Sequence, residues 1–323
     1  MADISTTFKF IKGIILAKAG IKIPLRVTQD ITRRCNLNCR YCQFPQQDTE
    51  MSTEEVLNIM DEFKDLGTIS WGFAGGEPLM RKDIGLLVKH AKKSGFITSL
   101  VTNGTMLTEN IEKIQDVDLL GISLDGPRDI NDALRGKGVF DKAVDGLKSA
   151  QEKGIKCIVL PVLTKFNIDH IPWLIEFADS LGCRINFLPL ITRSAQVDKE
   201  SLLPEIKLYR DAIKNLLRLK KKNSCIFNTT NYLKALCGYP EKYPRLKCFA
   251  GTLFFYVTVE GKIKPCWNVP DEKTYTKDEL NKILKQIPSQ KNCPGCWESC
   301  IIEYNMLFKP SLKAWYDLMT NLR

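Results

Sequence analysis

Three cysteines at Cys35-x3-Cys39-x2-Cys42 are the residues whose type and spacing bear most directly on chemistry. Thiolates are ligands for iron and other soft metals. At this spacing they can hold three irons of a cubane cluster and leave the fourth without a protein ligand. A structural iron–sulfur site normally closes all four positions, usually with cysteine. An open coordination position is where another molecule binds and reacts, as in catalytic metal sites generally. No fourth cysteine or histidine lies nearby in the sequence to close the site.

A second group follows near the C-terminus: Cys248, Cys266, Cys293, Cys296 and Cys300. Residues 252–259 alternate, Glu260-Gly261 turns the chain, and 262–266 returns, so a hairpin brings Cys248 and Cys266 close. Cys293-Pro-Gly-Cys296 stands opposite it. Such a knuckle suits an iron–sulfur cluster or the zinc of a structural ribbon. Cys157, Cys183, Cys225 and Cys237 are expected to pack in the interior. The early apolar stretch at 8–23 is interrupted by lysines and does not read as a secretory signal. Grouped cysteines without export point to metal in a reducing cytoplasm rather than to disulfides.

The elements that must position these residues alternate in type. Strand-like runs are expected at 25–28, 69–74, 97–102, 119–124, 155–162 and 184–190. Amphipathic helices are expected at 53–66, 84–94, 111–116, 140–153 and 171–181. Gly67, Gly95, Gly154 and Gly182 close four of the helices, as helix C-termini prefer. Repeated βα units predict a parallel sheet with its functional residues at the C-terminal strand ends. Six units predict a partial (β/α)6 TIM-like barrel in an α/β chain, followed by a small cysteine-rich α+β hairpin domain. The expected divisions are an amphipathic segment at 1–24, the barrel at 25–195, a helical linker at 196–247 and the cysteine-rich domain at 248–323. A final helix is expected at 311–322.

The cysteine triplet after the first strand, with Tyr41 before its last member, resembles the radical S-adenosylmethionine (radical SAM) superfamily. Gly75-Gly76-Glu77-Pro78 after the second strand, Thr102-Asn103-Gly104 after the third and Ser123-Leu124-Asp125-Gly126 after the fourth extend the likeness over about 25–190. The resemblance implies a [4Fe-4S] cluster on Cys35, Cys39 and Cys42. Its open iron binds S-adenosylmethionine (SAM) and cleaves it to a 5′-deoxyadenosyl radical. It implies that Tyr41, Gly75, Gly76, Glu77, Asn103, Ser123, Asp125 and Arg135 help hold SAM. Glu77 would accept from the ammonium, and Arg135 would pair with the carboxylate. The C-terminal cysteines are similar to the SPASM/twitch extension. This implies a second, auxiliary [4Fe-4S] cluster on Cys248, Cys266, Cys293 and Cys296, with Cys300 as a substitute ligand, a redox group or a packing residue.

The implied reaction is hydrogen abstraction from an unactivated carbon. It would lead to oxidation or another modification of a small-molecule, sugar or lipid-linked substrate. A ribosomal-peptide maturase is the second expectation. Against it, about 24 residues precede the first strand, too few for a separate leader-recognition domain. A non-catalytic iron–sulfur or zinc protein for electron transfer or scaffolding is the third. An external electron donor such as flavodoxin or ferredoxin is expected. The net charge of +10 is spread along the chain without a nucleic-acid motif, so no nucleic-acid partner is expected. The segment at 8–23 is expected to cover the barrel bottom, the alternative being a membrane surface. His90 and His170 are assigned no role, and no side chain is assigned as a direct catalyst.

Overall fold

The computed structural model describes residues 12–13, 15–16, 19, 23–42, 50–191, 201–244, 246, 248–268, 279 and 295–307. Cys293, the expected helix at 311–322 and most of the N-terminal segment lie outside the described residues.

The first half repeats strand and helix. β1 (Arg26–Thr32) is followed by α1 (Thr53–Asp65), β2 (Ser70–Gly75), α2 (Ile84–Lys93) and β3 (Ile97–Thr102). Then come α3 (Leu107–Asn110), β4 (Leu119–Ile122), α4 (Arg128–Arg135), α5 (Val139–Glu152) and β5 (Cys157–Val159). β6 (Val162–Leu163), α6 (Ile171–Ser180), β7 (Arg184–Ile185) and β8 (Leu188–Pro189) complete the barrel region. α7 (Ile206–Leu219), α8 (Thr230–Leu236), β9 (Phe254–Val257), β10 (Ile263–Lys264) and α9 (Ser299–Leu307) follow.

Eight strands form one sheet in the order β10-β9-β1-β2-β3-β4-β5-β7. The six strands of the expected βα repeat are its parallel body. The expected hairpin is also present: β9 lies parallel to β1 and β10 returns antiparallel to β9. The hairpin therefore extends the sheet beside the strand that leads to Cys35.

Alternation along each strand sorts two faces. Val27, Ile31, Trp71, Phe73, Leu100, Leu120 and Phe255 enter the core beneath the helices, against Val56, Met60 and Phe63 of α1 and the apolar stripe of α2. Arg26, Thr28 and Asp30, with Ser70, Gly72, Ser99 and Tyr256, take the opposite, lumen face. The four closing glycines sit at positive φ, 83°, 87°, 72° and 59° in chain order, a backbone region that favours glycine.

Several elements differ from expectation. β1 runs on to Thr32 because its last four residues are all buried, and it carries the chain to the cysteine triplet. The runs at 155–162 and 184–190 are each interrupted. Pro161 has no N–H to continue the β5 ladder, and Val162–Leu163 pairs instead with Leu188–Pro189 in a separate two-stranded sheet. At 111–116 only a short 3₁₀ turn forms, Ile111–Lys113. The N-terminal segment meets the barrel at Gly13, which is buried. A Cβ there would stand 2.3 Å from Ile69 and 2.7 Å from Leu25, at the N-terminal ends of β2 and β1.

Candidate functional site

The cysteine loop is tied to the end of β2 by backbone. Gly76 N–H donates to the Thr32 carbonyl and Glu77 N–H to that of Arg34, both at 2.8 Å. Neither glycine could carry a side chain. A Cβ on Gly75 would stand 2.4 Å from the Thr32 carbonyl oxygen, and one on Gly76 2.2 Å from that of Arg34. A register shift in β1 between Asp30 and Thr32 bends its end toward this contact. Arg34 then forks onto Glu50, with Nε–Oε1 at 2.7 Å and Nη2–Oε2 at 3.0 Å. Further along, Arg40 N–H donates to the Leu134 carbonyl of α4.

Within this loop Cys35 and Cys39 are half-buried and Cys42 is exposed. Burial raises the Cys35 thiol and pushes Cys39 up to about 11, against the downward pull of Arg135. Cys42 bears electrostatically on both, so the three thiols are mutual neighbours. No group of three His, Cys, Asp or Glu among the described residues is arranged to hold a single metal ion. A cubane differs in taking one cysteine per iron. Three neighbouring thiols on one partly exposed loop fit that donor set.

Glu77 braces two strand ends. Its side chain is fully buried and accepts from Leu79 N–H at 3.0 Å, the Thr102 hydroxyl at 2.8 Å and Asn103 N–H at 2.8 Å. Burial raises its pKa against the downward pull of those bonds. Both carboxylate oxygens are engaged within the protein. Asn103 in turn donates from Nδ2 to Asn36 in the cysteine loop at 2.8 Å and accepts from Thr105. The Thr102-Asn103-Gly104 turn is thus bonded both to Glu77 and to the loop.

Asp125 joins the next pair of ends. It is fully buried and accepts from the Tyr41 hydroxyl at 2.6 Å, Arg135 Nε at 2.7 Å and Val162 N–H at 2.8 Å. Its own N–H donates to Asn131, and its carbonyl accepts from Asn167 Nδ2. Burial holds the Tyr41 phenol well above its usual range. Burial also works against the charge of Arg135, but the Asp125 carboxylate outweighs it and keeps the guanidinium protonated. The Arg135 guanidinium carbon stands 5.5 Å from the centre of the Tyr41 ring. With Nε on Asp125, its terminal nitrogens make no hydrogen bond among the described residues. Ser123 donates its N–H to the Thr102 carbonyl and is half-buried.

The structure therefore brings Cys35, Cys39, Cys42, Tyr41, Gly75, Gly76, Glu77, Asn103, Ser123, Asp125 and Arg135 to one rim at the C-terminal ends of β1–β4. Asn36, Glu50, Asn131 and Asn167 complete the framework and are not singled out by the sequence. Asn131 and Asn167 lie 6 and 42 residues from Asp125, with no periodic signal linking them.

The C-terminal cysteines are held differently. Cys248, Cys266 and Cys296 pack with Ala250 and Ile301. Burial raises the Cys296 thiol, which also feels Cys248 and Cys266. Asn305 Nδ2 stands 3.7 Å from Cys248 Sγ. Cys300 is exposed on the first turn of α9. Besides the β9–β1 pairing, Glu260 at the hairpin turn pairs with Arg33 at 2.6 Å, and the Tyr256 hydroxyl donates to Asp30. No helix among the described residues is long and apolar enough to cross a membrane.

Comparison with known proteins accords with this geometry. Residues 30–178 match the family model of the radical SAM superfamily, so this stretch is a radical SAM domain. Such a domain implies a [4Fe-4S] cluster and SAM. Fe-coproporphyrin III synthase of Methanosarcina barkeri is 39% identical over 161 residues, which is 47% of this chain and 40% of that protein. The match thus spans less than half of either chain. SuiB of Streptococcus suis, bound to SAM, superposes with a TM-score of 0.66 at 20% identity, over 85% of this chain and 69% of SuiB. Bound to precursor peptide SuiA, it gives 0.65 over 87% and 69%. AdoMet-bound anSMEcpe gives 0.65 at 20% identity over 82% and 81%. At that identity the likeness establishes the fold: an α/β sheet of the radical SAM barrel type.

Proposed function

We propose that the radical SAM domain binds a [4Fe-4S] cluster through Cys35, Cys39 and Cys42 and cleaves SAM to abstract hydrogen from an unactivated carbon of an organic substrate. A cluster held by Cys35, Cys39 and Cys42 would supply the electron for reductive cleavage of SAM. The chain's own residues hold the geometry. Arg135 offers its unused terminal nitrogens to the SAM carboxylate, in a fork that suits two-point recognition. Tyr41 and Asp125 fix that fork in place. Glu77 serves the site indirectly, by setting Gly76 and Asn103 where their backbone can approach the ligand. Ser123 stands beside them for the ribose. Burial of these groups around a lumen keeps water from a reactive species.

The observation that carries this reading is the convergence of four strand-end motifs on one rim, with the thiols on one side and the Arg135 nitrogens unengaged. The auxiliary [4Fe-4S] cluster is proposed on Cys248, Cys266 and Cys296, with Cys293 or Cys300 as fourth ligand. Its role would be to take an electron from the substrate radical, supported by contacts of its hairpin with β1. A flavodoxin or ferredoxin would supply electrons to the first cluster. The small-molecule reading ranks first because the relative with 39% identity is named for a small-molecule product. A peptide substrate is the second reading, favoured by the peptide bound to SuiB.

The test is anaerobic reconstitution followed by reduction with dithionite and SAM. 5′-Deoxyadenosine is expected, together with a change in the reduced cluster's EPR spectrum on adding SAM. An unchanged spectrum and no nucleoside product would remove the reading.

A further inference from the structure

On the lumen face of β1, Arg26 is an arginine without a carboxylate partner among the described residues. Arg33, Arg34, Arg81, Arg128, Arg135 and Arg210 each have a carboxylate within ion-pair distance. Arg26 has none among the described residues. Its Nη1 donates to the Ser70 hydroxyl at 3.1 Å and Nη2 to that of Ser99 at 3.0 Å. Its Nε is buried with no hydrogen-bond partner among the described residues. A guanidinium carries five N–H donors, so these two bonds leave most of the fork unused. Leaving a charged donor unsatisfied in such a place is costly.

The surroundings are built for this side chain. Gly72 lies beside it on β2, and a Cβ there would stand 2.8 Å from Arg26 Nη2. Neutral hydroxyls from two successive strands hold the fork without neutralising it. Asp30, four residues along the same face, bonds to Tyr256. On β3, Val101 lies two residues beyond Ser99 on the same face and is 40% exposed, although it belongs to an inner strand of the sheet. The lumen face is therefore accessible to solvent at Val101, one step along the strand face from Ser99.

We infer that Arg26, set by Ser70 and Ser99, is a carboxylate-binding residue that anchors the substrate inside the barrel. A planar fork with unused donors fits a carboxylate at two points. Along a strand rising about 3.3 Å per residue, the level of Gly72 lies roughly 10 Å below the Gly75-Gly76 rim. The substrate is thus an acid whose carboxylate stands about that far from its reacting carbon. As a statement about substrate, this rests on the reaction proposed above. As a binding site, it does not.

The test is saturation-transfer NMR on the full chain with benzoate and its neutral isostere benzamide, which needs neither cluster nor SAM. Wild-type protein should bind benzoate roughly tenfold better than benzamide, the scale of a lost charge-assisted hydrogen bond. Arg26→Gln should lose that preference, and Arg26→Lys, which keeps the charge but not the fork, should keep part of it. Equal binding of the two probes by wild type would overturn the inference even if neither variant folds. So would an undiminished preference in folded Arg26→Gln. Displacement of benzoate by inorganic phosphate far more readily than by acetate would overturn the carboxylate assignment. Charge-selective binding without SAM cleavage would sink the proposed reaction and leave the site. SAM cleavage without charge-selective binding would do the reverse.

Discussion

The rim at the ends of β1–β4 and the cysteine-bearing C-terminal segment are both built around thiols, yet they are held by different physics. At the rim, two fully buried carboxylates each accept three hydrogen bonds and tie neighbouring strand ends together. Such bonds are directional, so the rim has its shape whether or not a cofactor is bound. Around Cys248, Cys266 and Cys296 the described contacts include apolar packing from Ala250 and Ile301 beside the Asn305 amide. Apolar packing brings groups together without fixing their angles. On the proposed reading, a site that cleaves a bound molecule is pre-organised by the fold, whereas a site that would only house a cluster could take its final geometry from the metal.

The largest effect should come from removing the rim's thiols. Cys35/Cys39/Cys42→Ala is expected to abolish 5′-deoxyadenosine formation and remove about four irons per chain, leaving the auxiliary cluster's share. Iron and zinc analysis reads both regions at once. Zinc in place of the remaining iron would make the C-terminal segment structural. Retention of all the iron would break the assignment.

Next in size is Glu77, which separates a brace from a ligand contact. Glu77→Ala leaves two buried N–H groups and a hydroxyl without an acceptor, and should cost about 3–5 kcal/mol in urea unfolding. Glu77→Gln keeps the volume but turns one acceptor into a donor, for about 1–3 kcal/mol. If Glu77 instead met SAM directly, the variants would weaken SAM binding at nearly unchanged stability. Asp125→Asn should resemble Glu77→Gln and also weaken SAM binding, because Arg135 loses the partner that orients its fork.

Much of this architecture was legible in the residues. The six parallel strands, the closing glycines and the hairpin follow from apolar runs and turn residues acting locally. The rim motifs were legible because each falls where a strand ends. The role of Glu77 was not, because composition at one position does not reveal how deeply the carboxylate is buried or which donors surround it. α4, which carries Arg135, was missed. It is eight residues long and starts without a side-chain cap, so although Gly136 closes it, it is too short to show a helical period. The interruption at Pro161 could have been read from the missing N–H. Its new partner at Leu188–Pro189 could not, since that pairing is set by how β5 and β7 meet.

An auxiliary-cluster variant, Cys296→Ser, should lower iron by about four per chain while reducing SAM cleavage less than tenfold, since cleavage depends on the rim. A larger loss would mean that the two regions are coupled.

The smallest effect probes that coupling directly. Arg33, two residues before Cys35, pairs with Glu260 at the hairpin turn, and both are partly exposed. A double-mutant cycle of Arg33→Ala and Glu260→Ala should give a coupling of about 0–1 kcal/mol, the range of solvent-screened ion pairs. It should also shrink as salt is raised, because charges in contact with water are screened. The contact is better placed to set the angle of the hairpin against β1 than to hold it there, since β9 already pairs with β1 over four residues. A coupling well above 1 kcal/mol, insensitive to salt, would show that the pair is effectively buried. The hairpin would then belong to the rim's rigid framework, and the contrast between a pre-organised site and a metal-ordered one would hold only for the cysteines beyond it.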